Sequence, residues 1–152
     1  MKYLFLSFLF IASCQFHPLY SEKTYSSVCV QQIPEASGYQ LYKELNKSFS
    51  DQTNCSYQLQ VSAPQFNLSD QSISDNDFIT MQRIQAKTTY KLLNSQKKTV
   101  LSNTVSADGS SAVVTNPYAT VVSIDKTQQN LIPILADQIV LHIAAYLDRN
   151  TP

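Results

Sequence analysis

Cys14 has the clearest chemistry in the sequence. It closes the run Leu4-Phe5-Leu6-Ser7-Phe8-Leu9-Phe10-Ile11-Ala12-Ser13, and Lys2 stands ahead of that run. A cation, a short apolar run and small residues form the layout of a secretory signal. With a cysteine directly after, they match a bacterial lipobox. There the thiol is diacylated, the chain is cut before Cys14 and the new amino terminus is acylated. The apolar run is about half of the roughly 20 residues that a spanning helix needs, and Pro18 ends it. Each buried methylene contributes about 0.8 kcal/mol, so several acyl chains together hold a protein on a membrane. The alternative is an ordinary cleaved signal with a chance cysteine, or a buried N-terminal segment.

Few other residues offer chemistry. Cys29 and Cys55 can pair in an oxidising periplasm, which would contribute about 3 kcal/mol, or remain two separate thiols. His17 and His142 are the only histidines, and neither has metal-ligand spacing with the cysteines, so no metal site is expected. The only glycines are Gly38 and Gly109, which excludes phosphate-cradling loops, and no Gly-x-Ser-x-Gly elbow exists. Asp75 and Asp77 read as turn or capping acids. No catalytic residue and no cofactor is therefore expected beyond the acyl chains on Cys14. Eleven basic residues balance eleven acidic ones, so nothing draws the chain to nucleic acid. Charged residues make up only 14%. The surface must then be polar and mostly uncharged, and any anion site must be a local basic cluster.

The elements that position these groups follow from periodicity. Residues 1–13 read as the signal peptide, 14–24 as an acylated tether and 25–149 as one domain. Tyr25 to Ile33 is a short β-like run ended by Pro34. A helix follows, with Ser37 as its expected cap and Leu41, Tyr42, Leu45 and Phe49 as its apolar stripe. Tyr57, Leu59, Val61 and Ala63 alternate with polar residues as a half-buried strand; Pro64 interrupts it, and Phe66 and Leu68 resume. Ser69 to Asp77 reads as loop. The strand Phe78 to Leu93 places Ile84, Ala86, Thr88, Tyr90 and Leu92 on one face. Arg83, Lys87 and Lys91 share the other, successive cations about 13 Å apart. A turn at Asn94 to Lys98 leads into Thr99 to Ala107, and Asp108-Gly109 reads as a further turn. Asn116 caps a long last helix that carries Pro117 in its first turn, with a kink or restart expected at Pro133. The expectation is an α+β two-layer sandwich, two amphipathic helices on one four-stranded sheet.

These residues together resemble the lipopolysaccharide-assembly lipoprotein family, LptE. Cys14-Gln15-Phe16-His17-Pro18-Leu19-Tyr20 is similar to the family's Cys-Gly-Phe-x-Pro-Leu-Tyr opening, with Gln15 in place of glycine. Arg83, Tyr90-Lys91-Leu92, Asn116-Pro117-Tyr118-Ala119, Leu135-Ala136-Asp137-Gln138-Ile139 and Ala145-Tyr146-Leu147 continue the likeness in order. The resemblance implies a lipoprotein anchored through Cys14 at the periplasmic face of the outer membrane, with no enzymatic activity. It implies an LptD-like β-barrel partner, which the protein plugs and helps assemble, and direct binding of lipopolysaccharide. Arg83 matches a basic position that contributes to that binding, and Lys87 on the same face can extend it. The family's second basic position falls near Ser123, with Lys126 one turn away. The alternative is a lipoprotein subunit of another periplasmic lipid-transport or envelope-assembly system.

Overall fold

A computed structural model describes residues 27–49, 55–73 and 79–150. The leader, Cys14, the tether to Thr24, and Asp75 with Asp77 lie outside them. The elements in chain order are β1 (Val28–Val30), α1 (Ala36–Ser48), β2 (Tyr57–Val61), β3 (Gln65–Ile73), β4 (Ile79–Asn94), β5 (Thr99–Ala112) and α2 (Pro117–Asn150).

The fold is α+β, with both helices on one face of a mixed sheet. β1 runs parallel to β2, and every other pairing is antiparallel. The strands number five, yet the sheet is four strands wide. β2 pairs with the second half of β4 and β3 with the first half, end to end along the same edge. The break between them is Ser62-Ala63-Pro64, where proline brings no backbone donor to the ladder. Side chains repair it: Thr88, almost fully buried, donates its hydroxyl to the Ser62 carbonyl at 2.7 Å. The Ser62 Oγ in turn accepts the Thr89 N–H at 3.1 Å.

The alternation of β4 builds the core. Ile84, Ala86, Tyr90 and Leu92 are fully buried beneath the helices with Val105 and Ala107 of β5 and Leu59 of β2. α1 contributes Leu41 and Leu45; α2 contributes Leu131, Leu135, Ile139 and Ile143. Their recurrence at three- and four-residue spacing gives each helix one buried stripe. By length and composition α2 passes for a membrane span, but this stripe packs along the sheet.

Several local expectations are corrected. α1 starts at Ala36 and uses no side-chain cap; Glu35, at φ 68° and ψ 162°, turns the chain into it. Ser37 lies inside the first turn, and Gly38 is held against Ile33, whose Cγ2 would stand 2.7 Å from a Cβ there. β3 continues to Ile73, where loop was expected, because β4 is long enough to pair with it. Asp108-Gly109 is no turn: β5 runs through both to Ala112. A Cβ at Gly109 would lie 2.9 Å from Thr127 Cγ2, so the glycine allows α2 to lie close on the strand. α2 neither stops nor restarts at Pro133, whose ring lies on its exposed side. The cap at its start is as read: Asn116 Oδ1 accepts the Tyr118 N–H at 3.0 Å.

Candidate functional site

The sheet has one face free of helices. Strand alternation puts every second residue of β4 there, and the cross-strand pairs extend the rows. Arg83 stands between Ser69 and Ser110, Gln85 between Asn67 and Asp108, and Lys87 between Gln65 and Ser106. Lys91 stands between Gln60 and Ser102. The surface is thus a lattice of amides and hydroxyls crossed by three cations and one carboxylate, a local net charge of +2. That is the basic cluster a near-neutral chain needs for an anion.

The cations are not equivalent. Arg83 Nε and a terminal nitrogen both reach Asp108 Oδ1, at 3.1 and 3.0 Å, and Gln85 Nε2 donates to the same oxygen at 3.3 Å. This fixes the guanidinium while leaving about half of its side chain exposed. An exposed ion pair of this kind contributes about 0–1 kcal/mol, so its main effect is to aim the side chain. Lys87 and Lys91 are exposed and have no carboxylate partner among the described residues. Lysine supplies a mobile point charge, whereas arginine supplies a planar fork suited to phosphate. The face therefore offers one oriented fork and two free ammonium groups along about 26 Å of strand.

Lys126 does not join this face. It is exposed on α2, in the helix layer, whereas Arg83 and Lys87 project from the opposite side of the sheet. Ser123 faces inward: its hydroxyl oxygen accepts the buried Ser111 hydroxyl at 2.9 Å, tying α2 to β5. A long cation at Ser123 would displace that contact. Cys29 and Cys55 form a disulfide, Cα atoms 5.5 Å apart, that ties β1 to the segment entering β2.

Sequence reasoning missed Asp108, because Asp-Gly read as a turn. The continuing alternation Val105, Ala107, Gly109, Ser111 was the signal for a strand that faces Asp108 outward. His142 lies 2.9 Å from the Tyr90 hydroxyl through Nδ1, half-buried on α2. It satisfies a phenol that would otherwise be buried alone, and burial raises the Tyr90 pKa. No group of three or more potential metal ligands occurs among the described residues. A cleft of about 390 Å³ between the start of α1, Phe66 and α2 is lined by Glu35, Ser37 and Asp125 with glutamines, and by no histidine or cysteine.

No protein-family model and no curated protein matches the sequence. Solved structures do match the fold. Rare lipoprotein B from Shewanella oneidensis superposes with a TM-score of 0.64 at 9% identity, covering 80% of this chain and 98% of its own. A minor lipoprotein from Acinetobacter baumannii gives 0.61 at 18% identity, covering 79% and 92%. An uncharacterized lipoprotein B from Nitrosomonas europaea gives 0.58 at 10%, covering 81% and 87%. The fold of this chain is thus one that bacterial lipoproteins use, over nearly their whole length.

Proposed function

We propose that this protein is an outer-membrane lipoprotein of the LptE kind. It is anchored through acylated Cys14, plugs and assists assembly of an LptD-like β-barrel, and binds lipopolysaccharide during its passage to the cell surface. The observation that carries this reading is the open sheet face. A barrel lumen is polar and wet, so a plug needs an uncharged hydrogen-bonding surface with few large apolar patches. The Gln, Asn, Ser and Thr lattice meets that need, and Arg83 with Lys87 and Lys91 offers charge-assisted bonds to lipid A phosphates. The Cys14 opening and the fold shared with lipoproteins support the same reading.

The role is non-enzymatic: the protein binds and positions, and changes no bond in the lipid. A test of the binding surface is retention of purified protein on immobilised lipopolysaccharide. Arg83→Gln combined with Lys87→Gln should weaken retention about tenfold or more, from two lost charge-assisted contacts. Lys126→Gln, in the other layer, should leave it unchanged. Equal retention of all three proteins would remove the open face from the proposal.

A further inference from the structure

The edges of the sheet are built differently, and β3, which pairs only with β4, is an edge of nine residues broken by register shifts after Asp70 and Ser72. β1 is three residues long, is stapled by the Cys29–Cys55 disulfide, and leads to Pro34 four residues on. β5, at the opposite edge, is 14 residues long and contains no proline, lysine or arginine. Native edges are normally blunted by short length, charge, proline or bulges, because an unpaired row of N–H and C=O groups templates another strand. β5 has a single register shift, near its start opposite Leu92 and Leu93, and none from Leu101 to Ala112.

The direction of its backbone follows from its hydrogen bonds to β4. Val113 N–H donates to the Thr80 carbonyl of β4, so odd-numbered residues of β5 point their backbone inward. Ser102, Thr104, Ser106, Asp108, Ser110 and Ala112 therefore point theirs outward. Among the described residues only two of those groups find a partner. Thr104 N–H donates to its neighbour's Asn103 Oδ1 at 2.8 Å, and the Ser106 carbonyl accepts Gln138 Nε2 of α2 at 3.2 Å.

The bond to Gln138 also locates α2. Its side chain reaches over the edge, and Ile134 and Leu141 lie one turn to either side on the same flank. They are 46% and 48% exposed. An apolar strip thus overhangs a row of unsatisfied backbone groups. Only another backbone in extended conformation matches donors and acceptors at that period, and only an apolar row on its helix side would use the overhang.

We propose that the outer edge of β5, from Ser102 to Ala112, receives an extended strand of another polypeptide, apolar at every second residue. That strand extends the sheet and packs its apolar row beneath Ile134 and Leu141. Its other row continues the Ser and Thr surface of the open face. A second copy of this chain fits less well, because two α2 helices would meet over the joined edges. The inference goes beyond the barrel reading and does not depend on it, since any partner with such a segment qualifies.

The test uses the full-length protein in its own membrane, with the photocrosslinking residue p-benzoylphenylalanine at Ser102. The expected result is one discrete adduct whose mapped segment in a different protein alternates apolar and polar residues. Ser106→Pro removes an outward N–H and no bond to β4, and should reduce the adduct about tenfold while the thermal midpoint holds. Ile134→Glu with Leu141→Glu should reduce it similarly, and Lys43→Gln, exposed on α1, should not. An adduct to a second copy, or within the chain, would overturn the occupant. No adduct, or one that Ser106→Pro leaves unchanged in a folded protein, would overturn the edge as a docking site.

Discussion

Tyr90→Phe removes one oxygen from the centre of the core, and its cost can be worked from the surroundings. Tyr90 is fully buried, and its hydroxyl lies 2.9 Å from His142 Nδ1. A net intramolecular hydrogen bond contributes about 0.5–1.5 kcal/mol. In Tyr90→Phe the half-buried His142 can regain water, so about 1 kcal/mol is expected at neutral pH. His142→Ala strands the hydroxyl inside and should cost more, about 2 kcal/mol including lost packing. A double-mutant cycle should then return a coupling of about 1 kcal/mol. pH supplies a second readout. Burial raises the Tyr90 pKa above its ordinary value of 10.0, so folding favours the protonated phenol. That contribution is complete below about pH 10 and is lost as pH rises beyond it. Urea unfolding from pH 7 to 11 should show wild type losing stability above pH 10 more steeply than Tyr90→Phe. Equal stability of the two at pH 7, or parallel alkaline losses, would refute the assigned contact.

The disulfide closes a separation of 26 residues, so replacing Cys29 and Cys55 by serine should cost about 3.5 kcal/mol in urea unfolding. Lys97 holds the left-handed position of the hairpin turn at φ 59°, a conformation costing a non-glycine residue about 1–2 kcal/mol. Lys97→Gly should therefore raise stability by about 1 kcal/mol, read from the same unfolding curve. Gly109→Val pushes against Thr127 and Leu131 beneath α2; overpacking there should cost about 1–3 kcal/mol, seen as a lower thermal midpoint.

Much of the fold was legible because buried positions repeat. The alternation through Ile84, Ala86, Thr88, Tyr90 and Leu92 and the helical stripe through Leu131, Leu135 and Ile139 each specify a face, and the structure buries those faces against each other. Local signals misled where tertiary pairing overrode them. Asp108-Gly109 suits a turn, but β4 extends far enough to hold both residues in the ladder, and α2 requires the glycine's missing Cβ. Ser37 suits a cap, but α1 begins two residues earlier than that cap implies, with Glu35 at the cap position and Gly38 packed against Ile33 in the first turn. Proline at 133 suits a break, but the stripe continues in phase on both sides, so packing holds one helix. At the candidate site, alternation was enough to put Arg83, Lys87 and Lys91 on one face. It could not reveal that Asp108 aims Arg83, because that pairing depends on β5 continuing past the supposed turn.

The proposed role puts this chain inside a large outer-membrane barrel. The direct measurement is isolation of the tagged full-length protein from detergent-solubilised outer membranes, with mass spectrometry of what accompanies it. A large β-barrel protein should accompany it in near-equal amount. Recovery of the protein alone, or with an inner-membrane transporter, would contradict that role and favour a lipoprotein subunit of another envelope system.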